Sequence, residues 1–194
     1  MKKFLCLLII LSGGFSLHAQ EAFEHAIEVG IGGANFNPSF LTPDTQLVRS
    51  PGLTIFGEYR FGITDWFAVG AQLDFKTSNG GVFSQVKKLF SDMRYFQESV
   101  KVVAEFKFFP RSTIKPLIGV TLGPGFGQFK GSLDAFFNSL VYMDLGPRVG
   151  LQVGDHFRAN FVFAISPGVD TQGKFHPILD GNFTSLGINI GWVF

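Results

Sequence analysis

Cysteine is almost absent: Cys6 is the only one in 194 residues. It sits inside an N-terminal apolar run, where it interrupts that run rather than following it as a lipid-modified cysteine would. The chain beyond it has no thiol, which excludes disulfides and cysteine-ligated metals. Charge is also scarce, at 16% of residues with a formal net charge of +1. No basic excess points to nucleic acid, and no polybasic run points to anionic lipid. Past residue 20 no apolar stretch approaches the ~18 residues of a membrane helix. Asp170, His176 and Asp180 lack a metal-ligand spacing. The glycine-rich run Gly123-Pro124-Gly125-Phe126-Gly127 has no lysine and no helical pattern after it, so it is not a phosphate loop. No cofactor is implied.

The first twenty residues read as an export signal. Lys2 and Lys3 form a basic start, Phe4 to Leu11 an apolar run too short to span a bilayer, and Leu17-His18-Ala19 a cleavage site. Cleavage is expected after Ala19 or Gln20, leaving one domain over 21–194. Loss of Lys2 and Lys3 takes the formal charge from +1 to −1.

What is abundant is phenylalanine, with 25 residues, and glycine, with 24. An apolar chain without long apolar runs spreads its hydrophobicity over alternating positions, the signature of a transmembrane barrel. Period-two segments occur at Ala26–Phe36, Leu53–Phe61, Trp66–Phe75, Ser99–Phe108, Lys115–Phe126, Tyr142–Val153, Phe157–Ile165 and Phe183–Phe194. Each has the length that a strand tilted by ~45° needs to cross hydrocarbon. Tight connections at Gly62–Asp65, Phe109–Ile114 and Gly154–His156 alternate with long ones at Asn37–Gly52, Lys76–Glu98, Gly127–Val141 and Ser166–Asn182. The expected fold is all-β: an eight-stranded antiparallel up-and-down transmembrane barrel. Its short turns and both termini are expected in the periplasm, and its long loops outside.

Sorting by parity gives one face without charge, including Ile31, Tyr59, Leu73, Val102, Leu122, Val149, Phe161 and Ile188. The other face carries Glu28, Glu58, Asp74, Glu105 and Asp144 against Arg60, Lys101, Lys107, Arg148 and Arg158. Gly30, Gly32, Gly70, Gly119, Gly123, Gly125, Gly146, Gly150, Gly187 and Gly191 share that second face. A soluble lipocalin-like barrel would turn the apolar face inward. Three features oppose it. A narrow eight-stranded interior needs small residues beside large polar ones. Aromatics at Tyr59, Phe61, Phe67, Phe108, Phe157 and Trp192 fall near strand ends, as in interfacial girdles. The last residue, Phe194, ends a strand. Ionised groups in a narrow lumen need partners, so the ten charged residues are expected to form a plugging network without an aqueous channel.

Helical spacing appears at Val82, Val86, Leu89, Phe90 and Met93, and again at Leu133, Phe136, Phe137 and Leu140. Such segments either pack over the barrel mouth or dock a partner or the outer leaflet, with Lys87 and Lys88 toward lipid phosphates. Pro116 can start its strand. Pro124 and Pro147 fall inside strands, where bulges near the extracellular rim are expected. His176, Ser166, Asp170 and Asp180 share one loop, but nothing in their spacing indicates a triad.

The run Val100 to Phe109, with Lys115-Pro116 and Gly119 to Gly127, resembles the Bacteroidetes outer-membrane β-barrel family, which includes PorT-like proteins and is related in form to small OmpA/OmpX-type barrels. The ending Gly187 to Phe194 resembles the terminal strand read by the barrel-assembly machinery, with Trp192 and Phe194 as the signal. The resemblance implies an outer-membrane location and carries over no catalytic or ligand-binding residue. The expected role is non-enzymatic, structural or surface-interacting. The partners would be outer-membrane lipid, the assembly machinery and an extracellular or secretion-machine protein. The alternatives are an accessory part of a secretion apparatus and a lipid A-modifying enzyme.

Overall fold

The computed structural model describes residues 24–38, 45–48, 50–84, 89–131, 139–166, 168–170, 175–176 and 183–194. The export signal expected over residues 1–20 lies outside them. Eight strands form the barrel wall: β1 (His25–Pro38), β2 (Ser50–Thr64), β3 (Phe67–Ser84), β4 (Leu89–Lys107), β5 (Ile114–Gly131), β6 (Ser139–Val153), β7 (Phe157–Ser166) and β8 (Phe183–Val193). Each pairs antiparallel with the next. Pairing of β1 with β8, from Glu28↔Val193 to Pro38↔Phe183, closes the wall and leaves it no edge. Among the described residues no helix is long and apolar enough to cross a membrane.

The tight turns lie at one end. Asp65 and Trp66 connect β2 to β3, and the β6–β7 turn runs from Gly154 to His156. Gly154 has a φ of 62°, a left-handed conformation that favours glycine. Residues 108–113 join β4 to β5, and the Phe109 carbonyl accepts the Ser112 amide at 2.9 Å.

Alternation turns the sequence pattern into two environments. Arg148 is 5% exposed and its neighbour Val149 is 52% exposed. Outward residues are apolar around the wall, among them Ile31, Leu53, Val102, Leu122, Phe161 and Ile188. Glu28, Arg60, Asp144 and Arg158 are fully buried. The wet-outside, dry-inside alternative is the reverse of this arrangement.

The glycines explain how large side chains fit the lumen. Many stand in register beside a bulky inward neighbour: Gly30 opposite Phe56, Gly125 opposite Tyr142, and Gly150 opposite Asn160. A Cβ on Gly125 would run into the Tyr142 ring, and one on Gly30 into the Phe56 ring. The rings occupy space that a side chain on the next strand would otherwise fill.

Three expectations are corrected. Strands β3 and β4 have 18 and 19 residues, far past Phe75 and Ser99. At ~3.3 Å per residue and ~45° tilt they rise about 40 Å, beyond the ~30 Å of hydrocarbon. The long loop expected over Lys76–Glu98 is therefore mostly a paired hairpin, with only 85–88 outside the described residues. The strand Thr45–Val48 adds to it, pairing with Gly81–Ser84.

The second correction follows from the first. Val82, Leu89, Phe90 and Met93 lie on paired strands, with Phe83 opposite Phe90, so their helical spacing is coincidental. Cross-strand pairing satisfies the backbone there and overrides local periodicity. Leu140 likewise belongs to β6, while Val86, Lys87, Lys88, Leu133, Phe136 and Phe137 lie outside the described residues.

The third concerns the prolines. Neither Pro124 nor Pro147 sits at a register shift. Pairing of β5 with β6 is continuous from Ile114↔Val153 to Gln128↔Ser139. The β4–β5 ladder skips Val100 and Lys101 opposite Pro124 and Gly123, then resumes in the same register. The β6–β7 ladder does so at Gly146 and Pro147. Backbone donors alternate sides along a strand. The missing donor of Pro124 faces β4, and that of Pro147 faces β7. Each proline removes one ladder bond without inserting a residue.

Candidate functional site

The charged lumen residues condense into two closed rings. The first alternates in sign through six residues. Arg60 bridges Glu28 at 2.7 Å and Glu58 at 2.8 Å. Arg148 grips Glu58 with both terminal nitrogens, at 2.6 and 2.9 Å, and reaches Glu105 at 2.7 Å. Arg158 pairs with Glu105 and returns to Glu28 at 3.2 Å. Five strands, β1, β2, β4, β6 and β7, are tied through it. Three acids and three guanidinium groups cancel in charge. The planar forks of arginine suit such bidentate closure.

The second ring lies nearer the loop end. Lys101 contacts Asp74 at 2.6 Å and Asp144 at 2.5 Å. Lys76 contacts the same two carboxylates at 3.6 and 3.4 Å. Ser99 donates to Asp74 at 3.0 Å, and Ser166 donates to Asp144 at 3.3 Å. Ser166 is thus turned into the lumen. Between members of both rings lies a cavity bounded by Gln72, Asp74, Lys101, Thr121 and Arg148, with room for about one water molecule.

Nine of the ten charged residues singled out from the sequence are members of these rings. The tenth, Lys107, is buried at the turn end of β4. Lys76 and Lys115 were missed, although both are buried at inward positions. Lys76 shares the parity of Asp74, and Lys115 that of Gly119, which was the available signal. Lys115 pairs with Asp155 of the β6–β7 turn at 2.9 Å. Among the described residues no cluster of three or more metal-ligating side chains occurs.

On the outer surface, aromatic rings gather at the turn end. Trp66 stacks on Phe106 with centroids 5.3 Å apart, and Phe67 meets Phe106 at 4.7 Å. His25 lies 5.8 Å from the Tyr59 ring and 5.3 Å from Phe61. Trp192, half exposed, stacks on His156 at 5.3 Å and 11°. Phe194 donates its amide to Ile27 at 2.8 Å, securing the last residue to β1.

The fold is similar to solved outer-membrane barrels. The attachment invasion locus protein Ail of Yersinia pestis, crystallised with the heparin analogue sucrose octasulfate, matches 89% of this chain and 99% of its own, at 16% identity and a TM-score of 0.54. Neisserial surface protein A matches 88% of this chain and 97% of its own, at 12% identity and a TM-score of 0.52. OprG of Pseudomonas aeruginosa matches 92% and 99%, at 9% identity and a TM-score of 0.53. No curated protein matches the chain in sequence. The family described as outer membrane protein beta-barrel domain matches residues 7–194. With that match and a closed wall that is apolar outside and ionic within, the chain belongs to the outer membrane protein beta-barrel domain family and resides in the outer membrane.

Proposed function

We propose that the protein is a non-enzymatic outer-membrane barrel, sealed along its axis, that acts through its surface as a structural element of the envelope or by binding a protein at its loop end. The six-membered ring carries this reading. It spans the lumen with alternating charges already matched to one another. An ion crossing would have to break several buried pairs, each costly to separate. An eight-stranded lumen filled by such chains leaves no aqueous channel. Purified protein in planar bilayers is expected to give no steady single-channel current. Large, steady openings would overturn the proposal.

The turn end, with both termini, faces the periplasm in this reading, and Trp192 and Phe194 are what the assembly machinery reads. A protease site inserted at 85–88 should be cut on intact cells, and one inserted at 154–156 should not. The opposite pattern would invert the orientation. The resemblance of Val100–Phe109 and Gly119–Gly127 to PorT-like proteins supports a second reading, an accessory role in a secretion apparatus. Co-purification of a secretion component from outer membranes would select it. Lipid A from a deletion strain is expected to match that of the parent strain by mass spectrometry, because the hydroxyl of Ser166 is engaged with Asp144 inside the barrel. A shifted lipid A mass would assign the enzyme instead.

A further inference from the structure

Strand β5 stands outside both charge rings and carries a break in one of its ladders. None of its residues joins either charge ring, whereas β4 and β6 on its two sides are joined to each other by Glu105–Arg148 and Lys101–Asp144. Those two bridges pass over β5 where it carries glycine. Gly119 is in register with both Glu105 and Arg148, and Gly123 is opposite Asp144. The hydroxyl of Thr121 donates to the Gly146 carbonyl on the neighbouring β6, at 3.3 Å. The one charged inward residue of β5, Lys115, pairs with the turn at Asp155. Over its middle, β5 sends no charged group into the lumen, and the backbone ladders carry most of its attachment.

Pro124 then cuts one of those ladders. The β4–β5 pairing lapses at Val100 and Lys101, so the Val100 carbonyl loses the donor that any other residue at 124 would supply. Within hydrocarbon, water does not replace a lost ladder bond, and each costs several kcal/mol. Strand β8 is the internal comparison. It too contributes no ring member, but its ladders to β1 and β7 are unbroken from Trp192 through Phe183.

We propose that β5 is a displaceable stave: the β4–β5 seam parts at Pro124 and opens the lumen cavity sideways to the bilayer. The ion rings stay whole, because both bridges across β5 run between its neighbours. The axial seal is therefore independent of this movement. Behind the seam lie Lys101 and Thr121, which also line the cavity between the rings. Pro147, on the far side of β6, removes the matching bond to β7, but β6 is held in both rings through Arg148 and Asp144.

Hydrogen exchange of the full-length protein in lipid nanodiscs tests this. The Leu122 amide faces β4 next to the gap, and the Ile188 and Ile190 amides are its counterparts on β8. Leu122 is expected to exchange about tenfold faster or more than those two. Pro124→Val restores the donor and should slow Leu122 by about tenfold while leaving β8 unchanged. Equal protection of Leu122 and the β8 amides in the parent protein would overturn the proposal. So would a Leu122 rate that ignores Pro124→Val.

Discussion

Glu105 and Arg148 meet at 2.7 Å across a strand to which neither belongs. The residue in register with both is Gly119 of β5. The pair exists because nothing projects from that position into the lumen. The parity pattern of small and charged residues is in this sense one feature: glycines mark where ions of second-neighbour strands reach each other.

A side chain at Gly119 should therefore break the bridge. A Cβ there would lie 2.8 Å from the Ala104 carbonyl oxygen and 3.2 Å from Arg148 Nε. Gly119→Val is expected to cost about 3 kcal/mol, the scale of opening a buried pair. Gly57 is the control, since a Cβ there meets nothing within 4 Å. Gly57→Ala should stay within about 0.5 kcal/mol of the parent. Urea unfolding in liposomes, followed by the heat-stable gel shift, measures both.

Glu58 is the acid with most to lose. It takes Arg60 at 2.8 Å and both terminal nitrogens of Arg148. Glu58→Gln leaves two buried guanidinium groups short of a counter-charge, with an expected cost of about 3–5 kcal/mol. Combining it with Arg148→Met should cost less than the sum of the two single changes, by about 0.5–3 kcal/mol. Additive costs would show that the ring is not an energetic unit.

Lipid contact is tested next door. Val149 is 52% exposed on the apolar face, one residue from buried Arg148. Val149→Arg is expected to cost about 2–4 kcal/mol in bilayers if the position lies near the midplane. The same charge one residue earlier is part of the native ring. Tolerance of arginine at 149 would count against a lipid-facing wall.

Strand number and the assignment of faces were legible in the sequence because both depend only on period two and on charge. Which acid meets which base was not. Ring partners such as Glu28 and Arg158 sit on strands far apart in sequence, and their contact depends on register summed around the closed wall. Lys76 was hidden by taking apolar width as strand length: β3 continues through Lys76 to Ser84 because β4 pairs with it beyond the hydrocarbon. Lys115 sits at the first inward position of β5 and pairs with Asp155 of a turn, a contact that strand alternation does not encode. The apparent bulges at Pro124 and Pro147 failed for a related reason. Sequence marks a missing donor, but only register shows toward which neighbour it pointed.

Lys115 and Asp155 give the barrel an acid-dependent clasp at its turn end. Their bond is 2.9 Å, with Lys115 buried and Asp155 about half exposed. The hydrogen bond from Lys115, reinforced by its charge, holds the Asp155 carboxyl below its ordinary value of 3.8. A depressed folded-state value means that the ionised form is favoured by folding. Its contribution is therefore complete above the unfolded value and declines as pH falls through the folded one. Asp155→Asn should lower the melting temperature at neutral pH, by a small amount because solvent screens a half-exposed carboxylate. The gap between the two proteins should persist down to about pH 4 and close at more acid pH. Comparing the pair cancels the titration of the ring carboxylates, which both proteins share. A gap that is constant through the acid range would mean that Asp155 acts through turn geometry rather than through its charge.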